Sequence, residues 1–144
     1  MSPPVYQDNT SIRDEERLFR RIHISLLAKD DDTDLVRVST AAFRDEDLSV
    51  NIESVLTESG CTPEACLRNN QDHKLVSISA RDARRLNQSL CRDPLPENLS
   101  HGLVYGSKKN KQIQREFCAA ALWVIPAIAP RYEDIEAERR LLGI

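Results

Sequence analysis

The pattern of apolar and polar residues between positions 99 and 124 predicts a strand followed by a helix. The short apolar run Leu103–Tyr105 is typical of a strand, and Gly106 and Ser107 interrupt it. Beyond this break, apolar residues recur at the three- and four-residue spacing of one helix face. They are Ile113, Phe117, Ala120, Ala121 and Val124. We therefore predict a central helix that opens with Lys108, Lys109 and Lys111, packs on a core and is ended by Pro126 and Pro130.

The rest of the chain shows a similar mixture of strand and helix patterns. Alternating apolar and polar residues predict strands over 17–24, 35–43, 48–50 and 74–79, although the acidic residues before Leu18, Phe19 and Ile22 also suit a short helix in place of the first strand. Residues with N-cap chemistry predict helices over 52–59, 62–68 and 80–90, and an amphipathic helix follows Pro130. This order predicts an α/β or α+β fold, in which three to five helices pack on a small mixed sheet of three to five strands in a single compact domain.

Chain length and proline placement predict one domain with a segment at each end. A chain of 144 residues is long enough to bury one hydrophobic core. Residues 1–11 contain two prolines and few apolar side chains, which predicts a flexible arm. We expect the globular domain to span 12–130, and 131–144 to form a C-terminal helix packed on the domain or on a partner.

The charge balance excludes a generally basic nucleic-acid coat protein. A local basic patch is still compatible with this charge balance. The chain carries 20 basic and 23 acidic residues, a net charge of −3. Its N-terminus has no apolar signal segment, and no window approaches the roughly 20 apolar residues of a membrane span. We predict a cytoplasmic protein that does not enter a membrane. Its four cysteines are then expected to be free thiols.

Basic residues at the predicted strand–Gly–helix junction are the most suggestive chemistry. Lysines in a first helical turn oppose the helix dipole, while free N–H groups there favour anions. His101 ends a proline-bounded loop, 93–101, which predicts that its side chain is held near a pocket. The predicted binding residues are Lys108, Lys109, Lys111, Ser107, His101, Arg81, Arg84 and Arg85. A solvated charged face is the alternative explanation for these residues.

This basic junction predicts a non-enzymatic binding protein whose partner is an acidic protein, a nucleotide or another phosphate-containing ligand, or nucleic acid. The alternative function is a small NAD- or nucleotide-using enzyme, such as an ADP-ribosyltransferase-like toxin. Its candidate site is Arg20 or Arg21 on one strand with Ser39 and Thr40 on another. No glutamate lies in a convincing third strand, so the enzyme is an analogy at the level of fold. A shallow basic surface favours binding, and a deep cleft lined by an arginine, Ser39 and a carboxylate favours the enzyme.

The spacing of cysteine and histidine residues predicts no metal site. No Cys-x-x-Cys or His-x-His pair occurs, and a structural zinc site usually contains at least one closely spaced ligand pair. Cys61, Cys66 and His73 are the remaining combination that could converge in space. We predict no metal and no cofactor, and the sequence gives no indication of oligomeric state.

Several short blocks resemble a group of small bacterial proteins that share them in the same order. The blocks are LFRRI from Leu18, RVSTAAF from Arg37, LSV from Leu48, DPLPEN from Asp93 with His101, and GSKK from Gly106. The resemblance covers roughly Leu18 to Val124. It implies a complete bacterial protein, and it assigns no catalytic residue because the group has no established activity.

Overall fold

An antiparallel six-stranded sheet forms the centre of the structure, a computed structural model that describes residues 7–144. The order across the sheet is β6-β7-β4-β1-β5-β8, and β2 pairs with β3 beside it. The strands are β1 Arg17–His23, β2 Leu27–Lys29, β3 Val36–Val38, β4 Asp47–Ile52, β5 His73–Ser79, β6 Ser89–Arg92, β7 His101–Tyr105 and β8 Leu122–Ile125. The α-helices are α1 Glu53–Glu58, α2 Ala80–Arg85, α3 Lys111–Ala120 and α4 Tyr132–Leu142, with 3-10 turns at Ile24–Leu26, Thr40–Phe43 and Pro63–Leu67.

The main core lies on one face of this sheet. Because side chains alternate along a strand, Leu18 and Ile22 of β1 share a face, and Leu18 is paired with Ile52 and Ile78 of the neighbouring strands. Helices α2, α3 and α4 and the 3-10 turn Thr40–Phe43 contribute buried residues to this face. At its centre the rings of Phe43 and Phe117 stack with centroids 5.4 Å apart. This face is therefore fully covered.

The opposite face is covered only in part. Phe19 of β1 and Leu75 of β5 form a smaller apolar cluster with Leu56 of α1 and Cys66 of the 3-10 turn Pro63–Leu67. This cover extends over β1 and β5, whereas the polar side chains on the same face of β4 and β7 border an open cleft. Antiparallel sheets tolerate one solvated face, which makes this face available for a site.

The predicted class, a single compact domain of helices and strands with three to five packed helices, is confirmed. Residues 7–144 contain four α-helices, and each neighbouring pair in the main sheet is antiparallel, which selects α+β from the two predicted alternatives. The main sheet exceeds the expected three to five strands because neither edge strand was predicted: β8 lies in the predicted central helix, and β6 begins at the end of the helix predicted over 80–90 and continues beyond it.

Two predicted helices end earlier than their periodicity indicates. Helix α2 ends at Arg85, and Asn87 adopts a left-handed conformation with φ +63°, which turns the chain into β6. Helix α3 ends at Ala120 instead of Val124, because residues from Leu122 onwards pair with β5. Trp123, within the predicted central helix, is half-buried but lies on the edge strand β8.

Both ends of the described chain are attached to the domain. Residues 1–6 of the predicted arm lie outside the described residues, but Asp8 accepts hydrogen bonds from the backbone of Leu90 and from Arg84. The predicted C-terminal helix is present as α4, and it packs on the domain. Its Ile135 is buried in the main core, and its Arg139 donates to the backbone carbonyls of Ile24 and Leu27.

Candidate functional site

Lys108 is buried, so the prediction that its side chain forms part of a basic surface is wrong. It is 1% exposed, and Nζ donates to the carbonyls of Glu46, Val104 and Gly106 at 2.9, 2.8 and 3.2 Å. Three carbonyl acceptors satisfy the three N–H donors of an ammonium group, which permits burial of the charge. Burial lowers the pKa of Lys108 to about 8, and neighbouring carboxylates, that of Asp47 above all, oppose this shift.

The position of helix α3 also differs from the prediction. The helix begins at Lys111, and Asn110 acts as its N-cap by accepting a hydrogen bond from the backbone N–H of Gln112 at 2.8 Å. Of the three lysines assigned to its first turn, therefore, only Lys111 belongs to it. Ser107, Lys109 and Lys111 are exposed and remain a small polar and basic surface.

The arginines of helix α2 do not extend this surface uniformly. Arg84 ties the N-terminal segment to the domain: it is ion-paired with Asp8 at 3.1 Å and with Asp14 at 2.7 Å. Its guanidinium therefore has a structural role, and the expectation that it also binds a partner stays a prediction. Arg85 forms an exposed pair with Asp82 at 3.4 Å, and Arg81 is exposed. His101 lies on the other face of the sheet from α2 and is separate from this group.

The structure separates Arg21 from the rest of the site predicted for the alternative enzyme, but it leaves Arg20 beside the 3-10 turn that holds Thr40. Arg20 and Arg21 are consecutive in β1 and therefore extend from opposite faces of the sheet. Arg20 donates to the carbonyls of Ser49 and Ala42 at 3.1 and 3.2 Å, and burial lowers its pKa. Ser39 caps the 3-10 turn that starts at Thr40, with its Oγ accepting the N–H of Ala41 at 3.3 Å. Ser39 and Thr40 are thus on the face opposite Arg21.

A cleft on the partly covered face brings polar side chains together from three adjacent strands. We call it the sheet cleft: a cavity of about 690 Å³ that adjoins a smaller one of about 180 Å³. Both cavities are lined by Arg21 of β1, Ser49 and Asn51 of β4, and His101 of β7. Residues 59–69 form one wall of the larger cavity and residues 95–100 form the other. A volume of this size accommodates a small organic ligand.

Asn51 presents a fixed hydrogen-bond donor to the sheet cleft. The side chain is 6% exposed, and its Oδ1 accepts hydrogen bonds from Asn98 Nδ2 at 2.7 Å and from Ser100 Oγ at 2.9 Å. Ser100 Oγ also lies 2.7 Å from Asn98 Oδ1. Because both bonds to Asn51 use its oxygen, the amide nitrogen is left as a donor without a partner within residues 7–144.

His101 is oriented by the start of the proline-bounded loop. Its Nδ1 lies 3.0 Å from the backbone carbonyl of Asp93 and 3.0 Å from the Asp93 carboxylate. Both groups only accept hydrogen bonds, so Nδ1 carries the proton and Nε2 is the nitrogen available to the cleft. The predicted role of His101 in a pocket agrees with its location, because it lines both cavities.

Two arginines give the sheet cleft a positive character. Arg21 and Arg68 line the larger cavity and are exposed. Neither guanidinium group has an ion-pair or hydrogen-bond partner among the residues that the structure describes. Glu97, which is exposed, is the carboxylate residue of the same lining. Free guanidinium groups bind phosphate and carboxylate through paired N–H donors. The cleft is therefore more positive than the chain as a whole, whose net charge is −3.

Apolar side chains complete the walls. Leu56 and Cys66 border the cleft from the small apolar cluster, and Leu95 and Leu99 border it from the loop. Burial raises the pKa of the Cys66 thiol to about 11, so this residue lines the wall as a neutral thiol and is not a nucleophile at neutral pH. All four cysteines are free thiols.

Two histidines share one carboxylate at the other end of the smaller cavity. His23 Nε2 lies 3.0 Å from one oxygen of Asp72, and His73 Nδ1 lies 2.8 Å from the other. The hydrogen bond from His73 lowers the pKa of Asp72. His23 Nδ1 accepts the backbone N–H of Ser25 at 3.1 Å, which caps the 3-10 turn that follows β1. Within residues 7–144, no three histidine, cysteine or acidic side chains converge to hold a metal ion.

The sequence analysis missed Asn51, Asn98, Ser100 and Arg68 as site residues. The residue before the helix predicted over 52–59 has N-cap chemistry, but Asn51 is in strand β4, and Ile52 occupies the N-cap position of α1. The usable signal was the rigid loop 93–101, which was singled out for its two prolines and does form a wall of the cleft.

Comparison of the chain with protein-family models, curated proteins and solved structures finds no significant match. The chemistry of the sheet cleft therefore has to be judged from its own residues. None of the helices within residues 7–144 is long and apolar enough to span a bilayer.

Proposed function

We propose that this protein is a binding protein that holds a small phosphate-containing ligand in the sheet cleft. The observation that carries the proposal is the convergence of Arg21, the amide of Asn51 and the oriented imidazole of His101 on one cavity. Arg21 and Asn51 can each offer a donor to a phosphate oxygen, because Asn51 Nδ2 and the guanidinium of Arg21 have no partner among the described residues. The Nε2 atom of His101 faces the same cavity as a third polar group.

The energetics favour the cleft over the basic junction. Asn51 is held by Asn98 and Ser100 before any ligand arrives, so binding does not have to order this donor. Lys109 and Lys111, in contrast, are exposed side chains, where charge pairs are screened by water and salt. A second binding surface for an acidic protein or nucleic acid at these two lysines stays a prediction.

The proposed setting is the reducing cytoplasm. Four free thiols fit a compartment in which disulfides are rare. The resemblance to small bacterial proteins remains a prediction as well, and three of its blocks, LFRRI, LSV and DPLPEN with His101, contribute residues to the sheet cleft.

Calorimetric titration with pyrophosphate tests the proposal. We expect the parent protein to bind, and Arg21→Gln to weaken binding by about 10- to 100-fold, because a charge-assisted hydrogen bond contributes about 1.5–3 kcal/mol. Arg37→Gln is the matched control: Arg37 is an exposed arginine of β3 outside the sheet cleft, and the charge change is identical. Equal affinities for the two variants, or no binding by the parent, would overturn the proposal.

A further inference from the structure

The fixed tautomer of His101 constrains which ligands suit the cleft. With the proton on Nδ1, a neutral imidazole has a lone pair on Nε2 and is therefore an acceptor towards the cleft. A phosphate oxygen at neutral pH is itself an acceptor and does not pair well with that lone pair. The complementary ligand thus carries a hydroxyl or amine donor close to its anionic group.

The strand spacing beneath the sheet cleft indicates how far apart the anionic group and the donor group lie in the ligand. His101 on β7 and Arg21 on β1 are separated by strand β4, which corresponds to two strand spacings, or about 10 Å, between the backbones. The buried amide of Asn51 lies directly across from His101 on β7, and its partner on β1 is Phe19, so Arg21 is two residues further along β1 and diagonal to Asn51. A phosphate between Arg21 and Asn51 therefore leaves a neighbouring hydroxyl on the His101 side of Asn51.

The walls indicate a further, less polar part of the ligand. Leu56 and Cys66 on one side and Leu95 and Leu99 on the other offer apolar surface, and Leu99 is 61% exposed. Apolar walls with a few fixed polar groups are typical of sites for cofactor-sized molecules. A flat heterocycle between such walls buries apolar surface, and its polar edges remain accessible through the open mouth.

We propose that the ligand of the sheet cleft is a ribonucleoside phosphate, with its phosphate on Arg21 and Asn51, a ribose hydroxyl donating to His101 Nε2, and its base between the apolar walls. This inference rests on the proposed function and narrows its ligand class. Arg68, at the same cavity, is placed to contact a second phosphate group in a nucleoside diphosphate.

Titrations at pH 8 with adenosine diphosphate, its 2′-deoxy and 3′-deoxy analogues, and pyrophosphate separate the two proposals. The deoxy analogues test His101 as a hydrogen-bond acceptor, the role that the proton on Nδ1 gives to Nε2. We expect adenosine diphosphate to bind more tightly than pyrophosphate, and one deoxy analogue to lose about 5- to 30-fold in affinity, as expected for a hydrogen bond of about 1–2 kcal/mol.

Variants of His101 assign the lost interaction. His101→Phe keeps a ring and removes the acceptor, so it should bind the ribonucleotide and the sensitive deoxy analogue equally. His101→Gln retains an amide oxygen near the position of Nε2 and should recover part of the discrimination. Arg21→Gln should weaken the binding of adenosine diphosphate, of its analogues and of pyrophosphate to a similar extent.

The outcomes distinguish failure of the ligand class from failure of the site. Binding of pyrophosphate that depends on Arg21, with no gain from the nucleoside and no loss in either deoxy analogue, overturns the ribonucleotide assignment and leaves the phosphate site. Discrimination that survives His101→Phe overturns the role of His101. Absence of binding by all four probes to the parent protein overturns both proposals.

Discussion

At the scale of single residues, Lys108 shows how a charged side chain acts as a structural element. Its ammonium group joins the carbonyls of Val104 and Gly106, at the end of β7, to that of Glu46, which precedes β4. The sequence could not reveal this role, because GSKKNK reads equally well as an exposed basic run. The difference between Lys108 and Lys109 arises from the turn at Gly106, which directs one side chain inwards.

Replacement of Lys108 by Met should destabilise the protein by about 2–4 kcal/mol. The apolar chain fills similar space, but the carbonyls of Glu46, Val104 and Gly106 lose the Lys108 donor, although that of Glu46 keeps the backbone N–H of Gly106. A buried polar group without a partner costs about 1–3 kcal/mol. Urea unfolding followed by circular dichroism measures the loss. Lys109→Met is the matched control, since Lys109 is exposed and should change stability by less than about 0.5 kcal/mol. Equal stability of the two variants would contradict a structural role for Lys108.

The same pair of proteins gives a pH prediction. Lys108 has a pKa of about 8 in the folded protein and an ordinary value of 10.5 in the unfolded chain. Between these values the unfolded chain holds a proton that the folded protein has released, so the contribution of Lys108 to stability rises with pH. Below pH 8 both states hold the proton and the contribution is constant.

Consequently, the free energy of unfolding of the parent minus that of Lys108→Met should be larger at pH 10 than at pH 7. The increase corresponds to about 1.4 kcal/mol for each unit by which the pKa is lowered. Urea unfolding of both proteins at the two pH values measures this difference. Because the difference is taken between two proteins, the contributions of the titrating groups that they share cancel. A smaller difference at pH 10 would show that the pKa of Lys108 is raised, not lowered.

At the scale of elements, the inner strands could be predicted and the edge strands could not. Strands β1, β4, β5 and β7 each overlap a segment with clear apolar patterning. The edge strands β6 and β8 are four residues each, and a short apolar run does not distinguish strand from buried helix. In α3 the helical period runs on to Val124, but pairing of β8 with β5 outweighs that local preference.

The turn after β7 depends on a glycine. Gly106 has φ +156°, and a Cβ there would lie 2.7 Å from Oε1 of Gln88, a buried side chain that donates to the carbonyls of Leu86 and Ser107. Gly106→Ala should therefore cost about 1–3 kcal/mol through strain and overpacking. Gly60→Ala is the control: it also has positive φ, but nothing lies within 4 Å of its Cβ position.

Thermal and urea unfolding of these variants separate the cost of the backbone conformation from the cost of the clash with Gln88. Gly60→Ala should lose about 1 kcal/mol from backbone conformation alone. In Gly106→Ala combined with Gln88→Ala, the loss should be smaller than the sum of the single losses, because the clash is removed. Additive losses would show that Gln88 is not the obstructing group.

At the scale of the whole molecule, the two faces of one sheet have different roles. One face buries the main core under α2, α3 and α4, and the other combines a small apolar cluster with the sheet cleft. The cleft joins β1, β4 and β7 only because the strand order places them side by side. That order cannot be read from sequence periodicity. The sequence therefore predicts Arg21 for the enzyme site and His101 for the basic binding site, and does not place them together.

Helix α4 belongs to this architecture, and its contribution can be measured. Ile135 is 1% exposed in the main core, whereas Leu141 in the same helix is 86% exposed. Ile135→Ala should cost about 2–4 kcal/mol and Leu141→Ala less than about 0.5 kcal/mol, as measured by urea unfolding. Similar small losses in both variants would contradict the contribution of α4 to the main core.

The burial of Lys108 also makes the chain a reporter of its own unfolding. An acylating reagent modifies amines that it can reach, so the folded protein should be labelled at Lys109 and Lys111 and protected at Lys108. Labelling at Lys108 requires the turn at the end of β7 to open, which breaks three hydrogen bonds at once. One short peptide that contains all three lysines can be analysed by mass spectrometry, with acylation of Lys109 and Lys111 as the internal standard and acylation of Lys108 as the signal. The rate at which Lys108 is acylated then reports how often this end of the sheet opens.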